Sequence, residues 1–327
     1  MNPEPKKKSN VGKIISTIVI IAIAAVGFVY HTTISDYIMA IGYEPTTEMA
    51  SVINDLDLTG VGKRIMMASR PEIQSADVFN NNCPGNADSA TLGCYYMNSI
   101  FIYDVQNSEL AGIKQAVAAH ELLHAVWARM SESERQDITD DLQNVYLENS
   151  TSLKAHMENY DKDSELDELH SVIGTEIPPS KYPSALKKHY VKYFTNQQKI
   201  YAYFEQYYEK FSAIQARNAE LDTIIKGKQA KLDLDTETYL NNFNQLNSDI
   251  DAFNAKNAAG GFSSEYQFNL ERNALLARRD ALQKDYDALI KLTDEINEYI
   301  NEYNQNITRS NQLYDSVNSR VTKPGNL

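Results

Sequence analysis

Cysteine is nearly absent from this chain. Only Cys83 and Cys94 occur among its 327 residues. Neither has a second thiol or a histidine at the spacing of zinc ligands, so a zinc site built from these thiols is not expected.

The chain also lacks an excess of positive charge. Its 44 Asp and Glu outnumber its 31 Lys and Arg, which gives a formal net charge of −13. A nucleic-acid-binding protein normally presents a basic face, so we expect no nucleic-acid partner.

One segment near the N-terminus lacks charge altogether. Residues 14–30 are apolar apart from Ser16, Thr17 and Gly27, and their number approaches the roughly 20 residues that a bilayer-spanning helix needs. Lysines precede this run, whereas residues 31–62 contain no Lys or Arg. The positive-inside rule then predicts a transmembrane helix at 14–30, in contact with membrane lipid, with a cytoplasmic N-terminus and an extracytoplasmic remainder. A cleaved signal peptide is the alternative, but the small-residue site at Ala22–Ala24 lies within the apolar run.

An extracytoplasmic location favours a disulfide between Cys83 and Cys94, because oxidising compartments allow such bonds to persist. The bond would tie the loop between the two cysteines to the strand that follows. Two buried free thiols are the alternative interpretation.

The sequence HELLH, from His120 to His124, stands in the apolar run 116–127. On a helix, His120 and His124 share one face, so both can reach one Zn²⁺ ion, and Glu121 can contact a zinc-bound water as general base. Buried imidazoles without partners would each cost about 2 kcal/mol or more. A pair of core histidines bonded to backbone groups is the alternative.

A catalytic zinc site normally has three protein ligands, so the third must come from elsewhere. The segment 164–176 supplies the candidates, and we take Glu168 as the third ligand, because a helix can place it opposite HELLH. Three other residues of this segment stay open as the third ligand: Glu165, His170 and Glu176.

With HELLH followed by ELHSVIGTE, residues 57–179 resemble a zincin metallopeptidase of the gluzincin kind. The resemblance implies zinc at His120, His124 and Glu168, with Glu121 as base. It also implies that the segment 94–103 is an edge strand along which an extended peptide lies. The common gluzincin motif E-x-x-x-D is only partly present: Glu168 matches its Glu, but Val172 stands where the motif has Asp. Glu165 or Glu176 would then orient a ligand. Four residues are candidate donors to the oxyanion: His156, His170, Tyr182 and His189.

The region from about Thr195 has few glycines and no proline before Pro324. Apolar and aromatic residues recur there at alternating spacings of four and three, which predicts long coiled-coil helices. The Gly260–Gly261 turn favours an antiparallel hairpin over a continuous rod that pairs with a second copy. Either form could bind a protein partner or self-associate.

Shorter patterns complete the expected fold. Strands are predicted over 64–68 and 94–103, and helices over 109–130 and from Ser131. A further helix is predicted from 163 or 164, which Gly174 and the Pro178–Pro179 pair bring to an end. The fold class is therefore α+β, with a transmembrane helix, a zincin-like domain of a small sheet plus helices, and a coiled-coil hairpin. The expected domains are 1–13 (basic cytoplasmic tail), 14–30 (transmembrane helix), 31–194 (zincin-like), 195–320 (hairpin) and 321–327 (tail).

These patterns predict a membrane-anchored zinc metallopeptidase that hydrolyses peptide bonds of a peptide or protein on the extracytoplasmic side. A different class of function is the alternative: a coiled-coil adhesion or scaffold protein whose zincin domain is inactive or structural. A fourth protein ligand on the zinc would favour that alternative, because no position would remain for water.

Overall fold

Helices make up most of the described residues. The computed structural model describes residue 27 and residues 30–83, 91–157 and 164–320. One unit contains the described residues up to Lys210 and those from Leu313 onward, and a second contains Phe211–Gln312. The α-helices that begin before Lys192 are, in chain order, α1 (His31–Ala40), α2 (Thr47–Asp55), α3 (Gly60–Ala68), α4 (Ala76–Asn82), α5 (Ile113–Trp127), α6 (Glu132–Glu148), α7 (Ser150–Met157), α8 (Glu165–Glu176) and α9 (Ser184–Tyr190).

The fold class predicted from the sequence is corrected in its membrane-spanning element. Among the described residues, no helix combines the length and the apolar character needed to cross a bilayer. The first described helix, α1, has ten residues and so extends only about 15 Å. Residues 14–26, 28 and 29 of the predicted span lie outside the described residues.

A small sheet contains β1 (Glu72–Gln74), β2 (Gly93–Tyr96) and β3 (Ser99–Tyr103) in the order β1-β3-β2. β3 is central, with β1 parallel and β2 antiparallel to it. The strand predicted over 94–103 is therefore a hairpin. Met97 and Asn98 both have positive φ, 49° and 64°, which gives the tight turn that joins two antiparallel strands.

The strand predicted over 64–68 is wrong, because these residues lie in α3. The side chain of Thr59 accepts a hydrogen bond from the Gly62 N–H and caps this helix. Ile65 and Met66 are buried in the core, so apolar packing of a short helix outweighs their strand propensity.

Helix α5 lies at the centre of the first unit. Ten of its 15 residues are buried, and it packs against α8, the sheet and the helices α2 and α3. The residue before this helix, Gly112, is in the left-handed region at φ 92°, a conformation that glycine adopts without steric cost. The helix is therefore shorter than the predicted 109–130.

Helix α8 runs through Gly174 rather than ending there. A Cβ atom at Gly174 would lie 2.4 Å from Cδ1 of Leu123 and 2.7 Å from Cε1 of Tyr190. The glycine therefore permits close contact between α8 and α5, instead of terminating the helix.

Two long helices, α10 (Gln197–Ala258) and α11 (Glu265–Val317), account for the second unit and extend beyond it. Within 211–312 they pack antiparallel: Arg217 pairs with Glu302, and Lys228 with Glu295. Gly260 has φ +65° in the connecting turn. A buried seam runs along the pair and contains Ile214, Leu221, Leu246, Leu282 and Ile296. The sequence pattern and the structure therefore agree on two long helices packed together.

Candidate metal centre

Two helices bring the candidate ligands together. His120 and His124 are one turn apart on α5, and Glu168 lies in the first turn of α8, which packs against α5. Because Gly174 permits this close packing, the carboxylate of Glu168 reaches both imidazoles.

The donor atoms of these residues form a small cluster. The Nε2 atoms of His120 and His124 are 3.1 Å apart. Oε1 of Glu168 lies 3.5 Å from the first, and the other carboxylate oxygen, Oε2, lies 3.4 Å from the second. His120, His124 and Glu168 thus form a group that could hold a metal ion.

A second carboxylate contacts His124 from the other side of the ring. The Nδ1 atom of His124 lies 2.8 Å from Oδ1 of Asp167. Burial alone would lower the pKa of His124, but hydrogen bonds to Asp167 and Glu168 raise it well above the usual value. The sequence pattern predicts Glu165 or Glu176 as the orienting carboxylate and does not identify Asp167, because the common motif places that carboxylate after the ligand and not directly before it.

Glu121 lies beside the group and is buried, with 5 % of its surface exposed. Burial raises the pKa of its carboxyl group to about 7. The nearby charge of His124 opposes this shift, the carboxylates of Glu168 and Asp167 add to it, and the Tyr95 N–H donates a hydrogen bond that opposes it. A carboxyl group with a pKa near neutrality can both accept and release a proton.

Strand β2 approaches Glu121 closely because residue 93 is glycine. A Cβ atom there would lie 2.7 Å from Oε1 of Glu121 and 2.5 Å from Cγ1 of Val117. Both distances are shorter than a non-bonded contact allows. Any side chain at position 93 would therefore displace either the strand or the carboxylate.

The edge of β2 that faces away from β3 carries no strand among the described residues. The Tyr103 N–H donates to the Leu92 carbonyl, and hydrogen bonds alternate along an antiparallel pair, so the backbone groups of Gly93 and Tyr95 point away from β3. The bond from the Tyr95 N–H to Glu121 agrees with this. An edge with no neighbouring strand among the described residues therefore lies next to the candidate metal group, and its Tyr95 N–H is already bonded to Glu121.

The other proposed ligands do not join the group. His170 is fully buried, its Nε2 lies 2.8 Å from Nε2 of His189, and its ring packs against Trp127 and Tyr190. Burial lowers its pKa well below the usual value, and His189, His124 and His120 add to this effect. Within the described residues, neither Glu165 nor Glu176 belongs to the cluster.

Three of the four proposed oxyanion donors already have partners. The hydroxyl of Tyr182 lies 2.7 Å from the Ile173 carbonyl and 2.9 Å from that of Ile177, and the rings of His170 and His189 contact each other. The side chain of His156 lies outside the described ones.

The predicted disulfide is present. Cys83 and Cys94 are bonded, with their Cα atoms 6.0 Å apart. The bond joins the end of α4 to β2, one residue after Gly93.

Comparisons of the chain with protein-family models, with curated proteins and with solved structures find no match.

Proposed function

We propose that this chain is a zinc-dependent metallopeptidase in which His120, His124 and Glu168 bind the ion and Glu121 is the general base. One observation carries the proposal. The two imidazole Nε2 atoms are 3.1 Å apart, and each has its own oxygen of the Glu168 carboxylate within reach, Oε1 at 3.5 Å from His120 and Oε2 at 3.4 Å from His124. Ligand atoms at about 2.0–2.1 Å from a tetrahedral zinc lie about 3.3–3.4 Å apart.

The chemistry of the donors supports zinc in particular. Two imidazole nitrogens and one carboxylate are a donor set intermediate between hard and soft ligands. Such a set suits zinc better than magnesium or calcium, which bind oxygen ligands. Asp167 supports the same assignment. A carboxylate bonded to Nδ1 fixes the ring orientation and leaves Nε2 of His124 as the ligand atom.

A bound zinc ion would polarise a peptide carbonyl and lower the pKa of water. The chain supplies the proton transfers. The carboxylate of Glu121, with a pKa near 7, accepts a proton from the attacking water and delivers it to the leaving amine. Its bond from the Tyr95 N–H holds the carboxylate on the strand side of the site.

The unpaired edge of β2 supports an extended peptide as substrate. The backbone groups of Gly93 and the carbonyl of Tyr95 point away from β3, so a peptide could pair with them beside Glu121, whose carboxylate keeps the Tyr95 N–H. The Cys83–Cys94 bond supports an oxidising, extracytoplasmic compartment for this reaction.

A scaffold function is the second candidate, and the long helical pair of residues 211–312 favours it. In that case the zinc site would be closed by a fourth protein ligand. His170, an open candidate ligand from the sequence, does not belong to the cluster, and its Nε2 contacts His189. The catalytic proposal is therefore the better supported of the two.

Metal analysis and a peptide-cleavage screen on the full chain test the proposal. We expect about one bound zinc, and we expect its loss in His120→Ala and in His124→Ala. Glu121→Gln should retain zinc but lose cleavage, because this carboxylate moves protons and does not bind the ion. Glu165→Gln is the matched control and should retain both. Unchanged cleavage by Glu121→Gln would contradict the catalytic assignment.

A further inference from the structure

Helix α1 packs against the rest of the first unit through an acidic residue, Asp36. Asp36 is buried, with 2 % of its surface exposed. Its carboxylate oxygens lie 2.7 Å from Nε of Arg129 and 3.3 Å from Nε of Arg64. An acidic side chain on a short helix normally faces water. The inward position here is fixed by two arginines.

The opposite side of this helix, together with the residue that flanks it at each end, carries large apolar side chains that are exposed. At 100° per residue they fall within one arc of roughly 100°, about 150° away from Asp36. We call this surface the α1 outer face. Its members are Tyr30, Ile34, Tyr37, Ile38 and Ile41, with between 46 % and 71 % of each residue exposed.

This orientation is held firmly. If α1 rolled over to bury its isoleucines, the carboxylate of Asp36 would leave both of its arginine partners, Arg64 and Arg129. Separating a buried ion pair is strongly destabilising, because it leaves a charge without compensation. The apolar side therefore stays outward, and a contiguous exposed apolar surface usually marks an interaction site.

We propose that the α1 outer face lies in the interfacial layer of a lipid bilayer. The chain before it supports lipid as the occupant, because the uncharged run of residues 14–30 ends where α1 begins. Tyr30 and Tyr37 suit the boundary between lipid headgroups and acyl chains, where an aromatic body and a polar tip are both accommodated. The contact requires only that α1 lie on the surface, as interfacial helices do.

A second copy of the chain is a poorer occupant. The face offers five large side chains, three on the ten-residue helix and one at each residue that flanks it, whereas a stable protein interface typically uses about 20–30 residues on each side. A helix face of this size therefore falls short of a stable dimer interface.

A fluorescent reporter at one position tests the proposal in the full chain. Tyr37→Cys is labelled with NBD, while the native cysteines remain in their disulfide, and the protein is mixed with vesicles of equal parts phosphatidylcholine and phosphatidylglycerol. We expect the emission to rise about twofold or more and to be quenched when the lipids are brominated, because the label enters the acyl boundary. Leu147→Cys is the matched control. Leu147 is 67 % exposed on α6, and a label there should respond to neither lipid.

The same measurement can overturn the proposal. If the protein sediments with vesicles but the label at position 37 is not quenched, lipid contact is made elsewhere and α1 does not lie in the interface. If the emission instead rises with protein concentration in the absence of vesicles, a second copy covers the face. Circular dichroism of both labelled variants should match that of the unlabelled chain, which excludes unfolding as the cause of a response.

Discussion

The imidazole Nδ1 of His124 and the carboxylate of Asp167 are 2.8 Å apart, and Asp167 directly precedes Glu168. One turn of α8 therefore supplies both a candidate ligand and the group that orients another ligand. Neighbouring residues on a helix point about 100° apart. This lets Glu168 reach the Nε2 side of the two rings while Asp167 reaches Nδ1.

Replacing Asp167 should weaken metal binding without abolishing it. We expect Asp167→Asn to lower zinc affinity about 10–100-fold, because the orientation and basicity of His124 depend on that carboxylate. Competition with a coloured chelator measures the effect. Glu165→Gln, which also removes one acid from the first turn of α8, should leave the affinity unchanged, and an equal loss in both variants would assign the effect to net charge.

A methyl group at position 93 should impair catalysis more than metal binding. Gly93→Ala places a carbon in contact with the Glu121 carboxylate, so we expect kcat to fall about 10–100-fold with zinc content unchanged. Gly60→Ala is the matched control, since nothing lies within 4 Å of a Cβ there. Equal kcat values for the two variants would show that the close approach of β2 has no catalytic role.

Loss of the disulfide should destabilise the first unit. Replacing Cys83 and Cys94 together by serine is expected to lower the free energy of unfolding by about 2–3 kcal/mol, because the bond closes a loop of the chain in the unfolded state. Chemical denaturation with and without reductant measures this. Reductant should affect only the wild type, and an effect of similar size on the double variant would point to a cause other than this bond.

The His170–His189 pair predicts a loss of stability in acid. Burial lowers the pKa of His189 to about 4, and Lys192 adds to the effect while Glu134 opposes it. The unfolded value is about 6.5. The neutral ring therefore makes its full contribution to the free energy of unfolding above pH 6.5. This contribution is lost as the pH falls towards 4, because the unfolded chain then binds a proton that the folded chain does not.

His189 alone is expected to lower the free energy of unfolding by about 3 kcal/mol between pH 6.5 and 4. Measured in chelator, the difference in unfolding free energy between the wild type and His189→Gln should shrink as the pH is lowered from 7 to 4. A difference that is independent of pH would contradict the assignment.

The sequence predicts the local part of the candidate site well. The spacing of His120 and His124 places both rings on one helix face whatever the rest of the chain does, and an apolar run signals that α5 is buried. The spacing alone does not determine the position of Glu168, because its distance from the histidines depends on how α5 and α8 pack.

Other features depend on contacts between residues that are distant in the chain, so the local pattern of residue types does not predict them. Residues 64–68 look like a strand, but Thr59 caps a helix there and the core accepts its apolar side. Gly174 looks like a helix stop, but its role is close packing against Leu123. The turn at Met97 and Asn98 contains no glycine, so nothing in the sequence marks the hairpin. Asp167 is hidden among the other acids of its segment.

Strand β2 is short and is held at both ends. Its second residue, Cys94, is bonded to Cys83, and its last residue, Tyr96, leads into a tight turn in which Met97 and Asn98 are left-handed. Such a strand has little conformational entropy left to lose when a peptide pairs with its open edge, so most of the ordering cost of binding falls on the peptide. Unstructured segments or chain ends that can adopt an extended form would then be the favoured substrates, whereas segments held in a folded domain would first have to be released.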